Sequence, residues 1–295
     1  MDKMTKKSIF QLINAILLLL LTITTIYPFV NLLAVSLTDA KEIAYMTGLD
    51  IIPKKLSFDV YKALFTSPQV YKAFFSSIYI TGMGTVLNMV LTIITAYALS
   101  RKNFYGKKLY MIFLIIPMLF DGGLIPNYML IKNLGLIDSY WSVILPGTIN
   151  VYYLMLLKNV FQSVPQSIYE AAEIDGAGHF TMIWKIAVPL AKPGIITIGL
   201  FYAILRWNEY FKPLIYINNP DKWPLQVLLR QFIVDSDKGA LFGTQTLLNY
   251  SSGATAIPFR SLQAGIIIIT VIPILLLYPL LLKYFNNVTV GAVKE

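Results

Sequence analysis

Six apolar runs govern what this sequence can fold into: about residues 9–37, 73–100, 109–131, 140–160, 191–217 and 262–283. Each approaches or exceeds the ~20 residues that a helix needs to cross the hydrocarbon core of a bilayer. The composition agrees, at 57% hydrophobic and 13% charged, where a soluble domain is about one quarter charged. The expected fold class is an all-α polytopic membrane protein with six transmembrane helices.

The same numbers exclude several chemistries. A net charge of +9 suits a membrane protein that gathers Lys and Arg on cytoplasmic loops, and no nucleic-acid partner is expected. The sequence has no Cys, which removes disulfides, thiolate catalysis and Cys-ligated metals. The single histidine, His179, cannot form a two-His site, so no metal is expected. Lys3, Lys6 and Lys7 precede the first apolar run, and Ala34-Val35-Ser36 resembles a cleavage site. That run is far longer than the ~7–15 residues of a signal sequence, so it reads as an uncleaved membrane helix. No internal repeat is visible, which weighs against transporters built from inverted repeats.

Between the runs lie a polar loop at 38–72, a basic hairpin at 101–108, a short turn at 132–139 and a long polar loop at 218–261. The hairpin RKNFYGKK holds Arg101, Lys102, Lys107 and Lys108. Basic short loops stay cytoplasmic, and six spans put the hairpin, both termini and segment 165–190 on that side. The chain divides into 1–72, an N-terminal membrane helix and extracytoplasmic loop; 73–283, a transmembrane core containing segment 165–190; and 284–295, a cytoplasmic tail.

Segment 165–190 interrupts the apolar pattern with EAAEIDGAGHFTMIWKIAVPL, from Glu170 to Leu190. Pro165 opens it, Ser167 is a plausible N-cap, and Glu170 falls where a capping box places its acidic residue. Ala171 and Ala172 present almost no side chain, so another protein can approach closely. Gly176 and Gly178 allow a sharp turn. Phe180, Ile183, Trp184, Ala187 and Val188 then share one face of a second helix, and Pro189 and Pro193 mark the start of the fifth span. The pattern suits either an amphipathic helix resting on lipid or a helix–turn–helix at the membrane surface that receives a partner.

The segment resembles the EAA loop of binding-protein-dependent ABC importer permeases: Glu170-Ala171-Ala172, then Gly176, then Ile186, Val188 and Pro189. Only Val188 departs, standing where the family has Leu. The form with Ile174, Asp175, Gly176 and Ala177 is similar to the carbohydrate-uptake, maltose-permease branch. SLTDAKEI (36–43), RWNEYFKPL (206–214) and KYFNNVTVGAVKE (283–295) resemble the same branch, so the likeness covers almost the whole chain. FDGGLIPNYMLIKNLGLIDSYW (120–141) resembles a subgroup that takes up oligosaccharides released from complex polysaccharides.

The resemblance implies the ABC importer permease fold, with the EAA helix acting as a cytoplasmic coupling helix seated in a separate ATPase. Glu170, Ala171, Ala172, Asp175, Gly176, Ile186 and Pro189 would form that coupling surface. It implies a bacterial cell-membrane location and four kinds of partner: a second homologous permease, two ATPase subunits, an extracytoplasmic solute-binding protein and an oligosaccharide substrate. No G-x-x-x-x-G-K-[ST] occurs, so this chain should hold no cofactor, ATP and Mg being bound by the partner ATPase. HExxH is also absent, and no enzymatic activity is expected.

A polar layer crosses four of the spans. Asn88, Asp121, Asn150 and Arg206 each lie eleven or twelve residues from the cytoplasmic end of their run, about 17–18 Å deep at helical rise. Runs three and five are interrupted there, by Asp121-Gly122-Gly123 with Pro126 and by Arg206-Trp207-Asn208-Glu209. Charges and broken helices at membrane depth belong inside the protein or beside water. The layer reads as a substrate pathway in which Tyr152, Tyr153 and Trp207 stack on sugar rings. Alternatively, Arg206 and Glu209 pair with each other, and Asn88 and Asn150 hold helices together. Asp121 and Glu209 are also the carboxylates on which two competing functions would rest, an ion-coupled secondary transporter and a membrane enzyme acting on lipid or glycan.

Overall fold

The computed structural model describes residues 3–234 and 257–291, with side chains over 9–234 and 257–279. Most of the loop expected at 218–261, and the end of the expected tail at 292–295, lie outside the described residues. The described residues fall into two compact units, one within Met1–Tyr71 and Leu229–Ile272, the other within Lys72–Leu228 and Pro273–Glu295.

In the first unit, helix α1 (Lys3–Ser36) carries the first apolar run. The polar loop after it folds back along the helix end. Tyr27 Oη donates to the Gly48 carbonyl at 2.8 Å, Asn31 Nδ2 donates to that of Asp50 at 2.6 Å, and Thr38 and Leu56 form an antiparallel bridge. Asp39 pairs with Lys55 at 3.0 Å. The short helix α2 (Asp59–Thr66) follows, with Val60, Ala63 and Leu64 buried.

Helix α3 (Pro68–Ser100) is the measuring rod of the second unit. Pro68 sits at its first position, where a fixed φ and a missing N–H cost nothing. Its 33 residues span roughly 50 Å, and side chains bound along it give the order of the other elements. Lys72, near one end, pairs with Asp221 at 2.7 Å. Ser77 accepts from the Leu225 amide at 2.8 Å. Thr92 and Tyr202 share a hydroxyl bond of 2.8 Å. Tyr97, in the last turn, packs edge-on against Phe161 and Tyr169.

The third run is two helices, α4 (Lys107–Leu119) and α5 (Leu124–Asn133), bent by 114°. The break falls at Phe120–Gly123, as the Asp-Gly-Gly signal suggests, with Gly123 at φ +84°.

The fourth run departs from expectation. Residues 140–160 are not one helix but a four-residue α6 (Trp141–Ile144), a turn at 145–150 through Pro146 and Gly147, and α7 (Val151–Gln162). A twelve-residue helix covers only about 18 Å. The Pro-Gly pair ends α6 as such pairs do, and apolar composition alone concealed it.

Segment 165–190 forms α8 (Gln166–Ile174) and a second helix, α9 (His179–Leu190). An 87° bend leads from α9 into α10 (Lys192–Trp207), whose first turn contains Pro193. α10 stops at the Arg-Trp-Asn-Glu interruption, and α11 (Phe211–Tyr216) and α12 (Leu225–Ile233) follow. The last helix, α13 (Phe259–Gly291), runs through the sixth span and on through residues expected to be tail. Among the described residues, three helices are long and apolar enough to cross a membrane, or up to five if each bent pair counts as one span.

Candidate functional site

The EAA segment is a helix–turn–helix, but its details correct the sequence reading. Ser167 is not the N-cap: it lies inside α8, Pro165 holds the cap position, and no side-chain cap bond forms. Gly176 makes the turn at φ +78°, and an added Cβ there would meet nothing within 4 Å. Glycine is needed for its backbone conformation, not for space.

The two alanines differ in burial. Ala172 is buried in this chain's own core beside Tyr169, whereas Ala171 is exposed. The close approach read into Ala172 is therefore that of α8 onto its own protein. Glu170, Asp175, Gly176 and Pro189 are exposed, and Ile186 is half-buried against the core.

The face expected on the second helix also shifts. Met182–Ala187 is π-helical, and i→i+5 bonding advances the wheel more slowly than a 3.6-residue period. Met182 and Ala187 are the buried residues, while Phe180 is 77% exposed. Ile174, at the end of α8, is 86% exposed. Two large apolar side chains of the segment, Ile174 and Phe180, are thus left without cover among the described residues. Sequence periodicity set Phe180 on one face with Ile183, Trp184, Ala187 and Val188, and that face is not uniform, since Phe180 is exposed and Ala187 buried.

Two residues behind the segment were not assigned to the site from the sequence: Tyr169 was not singled out, and Arg101 was read only as part of the basic hairpin. Tyr169 is fully buried, and Arg101, the first residue of the basic hairpin, sets its guanidinium carbon 3.4 Å from the Tyr169 ring centroid and 5.0 Å from that of Tyr97. Burial pushes the Tyr169 phenol above its ordinary pKa against the opposing pull of the Arg101 charge, so the ring stays neutral. A groove of about 750 Å³ runs between hairpin and EAA helices, lined by Lys102, Tyr110, Glu170, Glu173 and His179 among others.

Deeper in, the structure brings Arg206 and Asn88 together and separates the rest of the polar layer. Arg206 is 2% exposed and Asn88 fully buried. The guanidinium donates to the Val143 carbonyl at 2.7 Å, the Ile144 carbonyl at 2.8 Å and Asn88 Oδ1 at 3.0 Å. These carbonyls close the C-terminal end of α6, where unpaired acceptors favour a cation. Gly84, one turn from Asn88, leaves room for this: a Cβ there would lie 3.1 Å from Arg206 Nε.

Glu209 does not pair with Arg206. It forms an ion pair with Lys212 at 3.2 Å. Asn150 is the N-cap of α7, its Oδ1 accepting from the Tyr153 amide at 3.1 Å, and its own amide donates to Tyr202 Oη at 3.0 Å. Asp121 is exposed and accepts from the Gly123 amide and Asn127 Nδ2, each at 3.1 Å.

Trp207 is buried edge-on to Phe74 with ring centroids 6.5 Å apart, and half-buried Tyr153 packs on Tyr202 at 4.9 Å. Of the three rings read as sugar platforms, Tyr152 is the exposed one, at 57%. Asn208 is exposed, donating to the Ile204 carbonyl and accepting from Gln226. The layer thus divides into a buried brace of Arg206, Asn88 and Trp207 and an accessible set of Asp121, Tyr152 and Asn208.

Comparisons with known proteins bear on this arrangement. The family described as "Binding-protein-dependent transport system inner membrane component" matches residues 7–291. The polygalacturonan/rhamnogalacturonan transport system permease protein YtcP of Bacillus subtilis (strain 168) is 36% identical over 290 residues, covering 98% of this chain and 99% of the relative. Protein LplC of the same organism is 39% identical over 287 residues, covering 97% and 95%. Among solved structures, a chain of a bacterial ABC transporter involved in the import of the acidic polysaccharide alginate is similar with a TM-score of 0.88 at 28% identity, covering 97% of this chain and 99% of that one.

Proposed function

Because the chain belongs to the family of binding-protein-dependent transport system inner membrane components, we propose that it carries an oligosaccharide inward using ATP hydrolysed by separate subunits. It is a multi-pass membrane protein with the ABC importer permease fold, a transport subunit and not an enzyme. The oligosaccharide class is supported by the relatives, two of which are named for polygalacturonan/rhamnogalacturonan and alginate. Fragments of acidic polysaccharides are the first substrates to try.

The observation that carries the coupling assignment is the EAA helix–turn–helix, its exposed rim of Glu170, Ala171, Ile174, Asp175 and Phe180 backed by a packed core. Such a rim suits the groove of an ATPase subunit on the cytoplasmic side, with both termini on that side. A second, homologous permease completes the path, two ATPase subunits bind ATP and Mg, and a solute-binding protein delivers sugar at the far end of α3. Alternating access follows when ATP-driven closure displaces the EAA helices. In the pathway, Asp121, Tyr152 and Asn208 present their side chains to the sugar, and Arg206 and Asn88 brace the wall behind.

In vesicles containing the complete complex, uptake should require ATP and the binding protein and should survive a protonophore. Uptake that collapses with the protonophore and ignores ATP would favour ion-coupled transport instead.

A further inference from the structure

We propose that Arg101 is the positioning residue that locks the EAA helix α8 to the end of α3, so that displacement of the first is delivered to the second. The inference rests on the coupling assignment of α8 and concerns how the motion travels inward.

Arg101 and Tyr97 are four residues apart at the end of α3, and Tyr169 comes from α8; the two tyrosine rings lie 6.2 Å apart. The Arg101 guanidinium faces both rings. Its Nε and Nη1, and both phenol oxygens, are buried without a hydrogen-bond partner among the described residues. A guanidinium usually directs its fork of donors at carboxylates or carbonyls. Here its central carbon lies 3.4 Å over the Tyr169 ring centroid, a cation–π contact that strengthens when water is excluded. An apolar side chain would fill the space without burying unsatisfied donors. What the stacked guanidinium adds is a grip on Tyr169 across a broad face, leaving the outer edge of α8 free for a partner.

The other end of this linkage is already fixed. Thirteen residues back along α3, about 20 Å away, Asn88 bonds to Arg206, which holds the carbonyls of Val143 and Ile144. One helix therefore carries two arginine clamps, the first on the EAA helix and the second on the membrane brace.

The test measures sugar uptake and ATP hydrolysis in the same proteoliposomes of the complete complex. Arg101→Lys keeps the charge and loses the planar face; Tyr169→Leu removes the ring. Both should lower uptake per ATP several-fold while the ATPase subunit still copurifies, and Tyr169→Phe should restore what Tyr169→Leu loses. A wild-type ratio in Arg101→Lys would overturn the proposal, as would Tyr169→Phe failing alongside Tyr169→Leu. Should the variants not assemble, the unaltered linkage can be read directly. The chain has no cysteine, so in a complex whose partner subunits are also made cysteine-free, spin labels go specifically to positions 102 and 173 in Lys102→Cys with Glu173→Cys. Their separation should be the same in nucleotide-free and ATP-locked complexes, and a shift of several ångströms would show α8 moving independently. A wrong coupling assignment shows itself differently, as wild-type permease that retains no ATPase subunit.

Discussion

Arg206 illustrates what a single residue can and cannot disclose. Its spacing from Glu209 suggests an i,i+3 ion pair, yet its acceptors are carbonyls 62 and 63 residues away and an asparagine 118 away. Helical spacing identifies neighbours on one helix, and nothing in a single sequence announces an acceptor on another. The variants separate accordingly. Arg206→Leu strands two buried carbonyls, and hydrogen bonds to a charged group are worth about 1.5–3 kcal/mol each, so folded yield and the unfolding midpoint in detergent should fall sharply. Glu209→Gln frees only a partly exposed Lys212, an effect of about 1 kcal/mol or less. The double variant should be no better than Arg206→Leu; recovery would reinstate the Arg206–Glu209 pair. At the EAA turn, Gly176→Asn should be tolerated and Gly176→Val should not. Left-handed backbone costs an ordinary residue roughly 1–2 kcal/mol, a cost that asparagine offsets with local bonding. Equal uptake by both variants would contradict the backbone explanation.

Turns and breaks were legible where the signal was chemical and local, although the Ser167 cap was misplaced. The Asp-Gly-Gly break, the turn at Gly176 and the Pro-marked start of α10 all fall where the sequence places them. The misses share a cause: an apolar run reports burial or lipid contact but not continuity, so the α6–α7 interruption was hidden. A 3.6-residue wheel likewise cannot anticipate the π-helical register of Met182–Ala187. Ala171 and Ala172 were also set on one surface, although α8 buries Ala172 and leaves Ala171 exposed. Ala172→Trp should therefore deplete the permease itself, because overpacking a filled core costs about 1–3 kcal/mol or more. Ala171→Trp should leave the protein in the membrane and block ATPase association. Quantifying permease and copurified ATPase in the two variants checks this, and identical behaviour would put both alanines on one face.

Within the second unit, the proposed coupling treats α3 as a lever. The Lys72–Asp221 pair marks one end of α3, and Arg101 with Tyr169 marks the other. Orientation is an expectation from the basic residues in short loops, which the folded chain itself does not record. With cysteine absent from the sequence, a single Cys reports one location. Asn219→Cys should react with an impermeant thiol reagent in intact cells, and Asn103→Cys should be shielded until the cells are opened. The deciding measurement is a cross-link. Ala171→Cys, treated with a short thiol-to-amine cross-linker in native membranes, should join the permease to its ATPase subunit, and Asn219→Cys should not. A cross-link to the ATPase from Asn219→Cys and none from Ala171→Cys would place the motor at the wrong end of the lever and contradict the account.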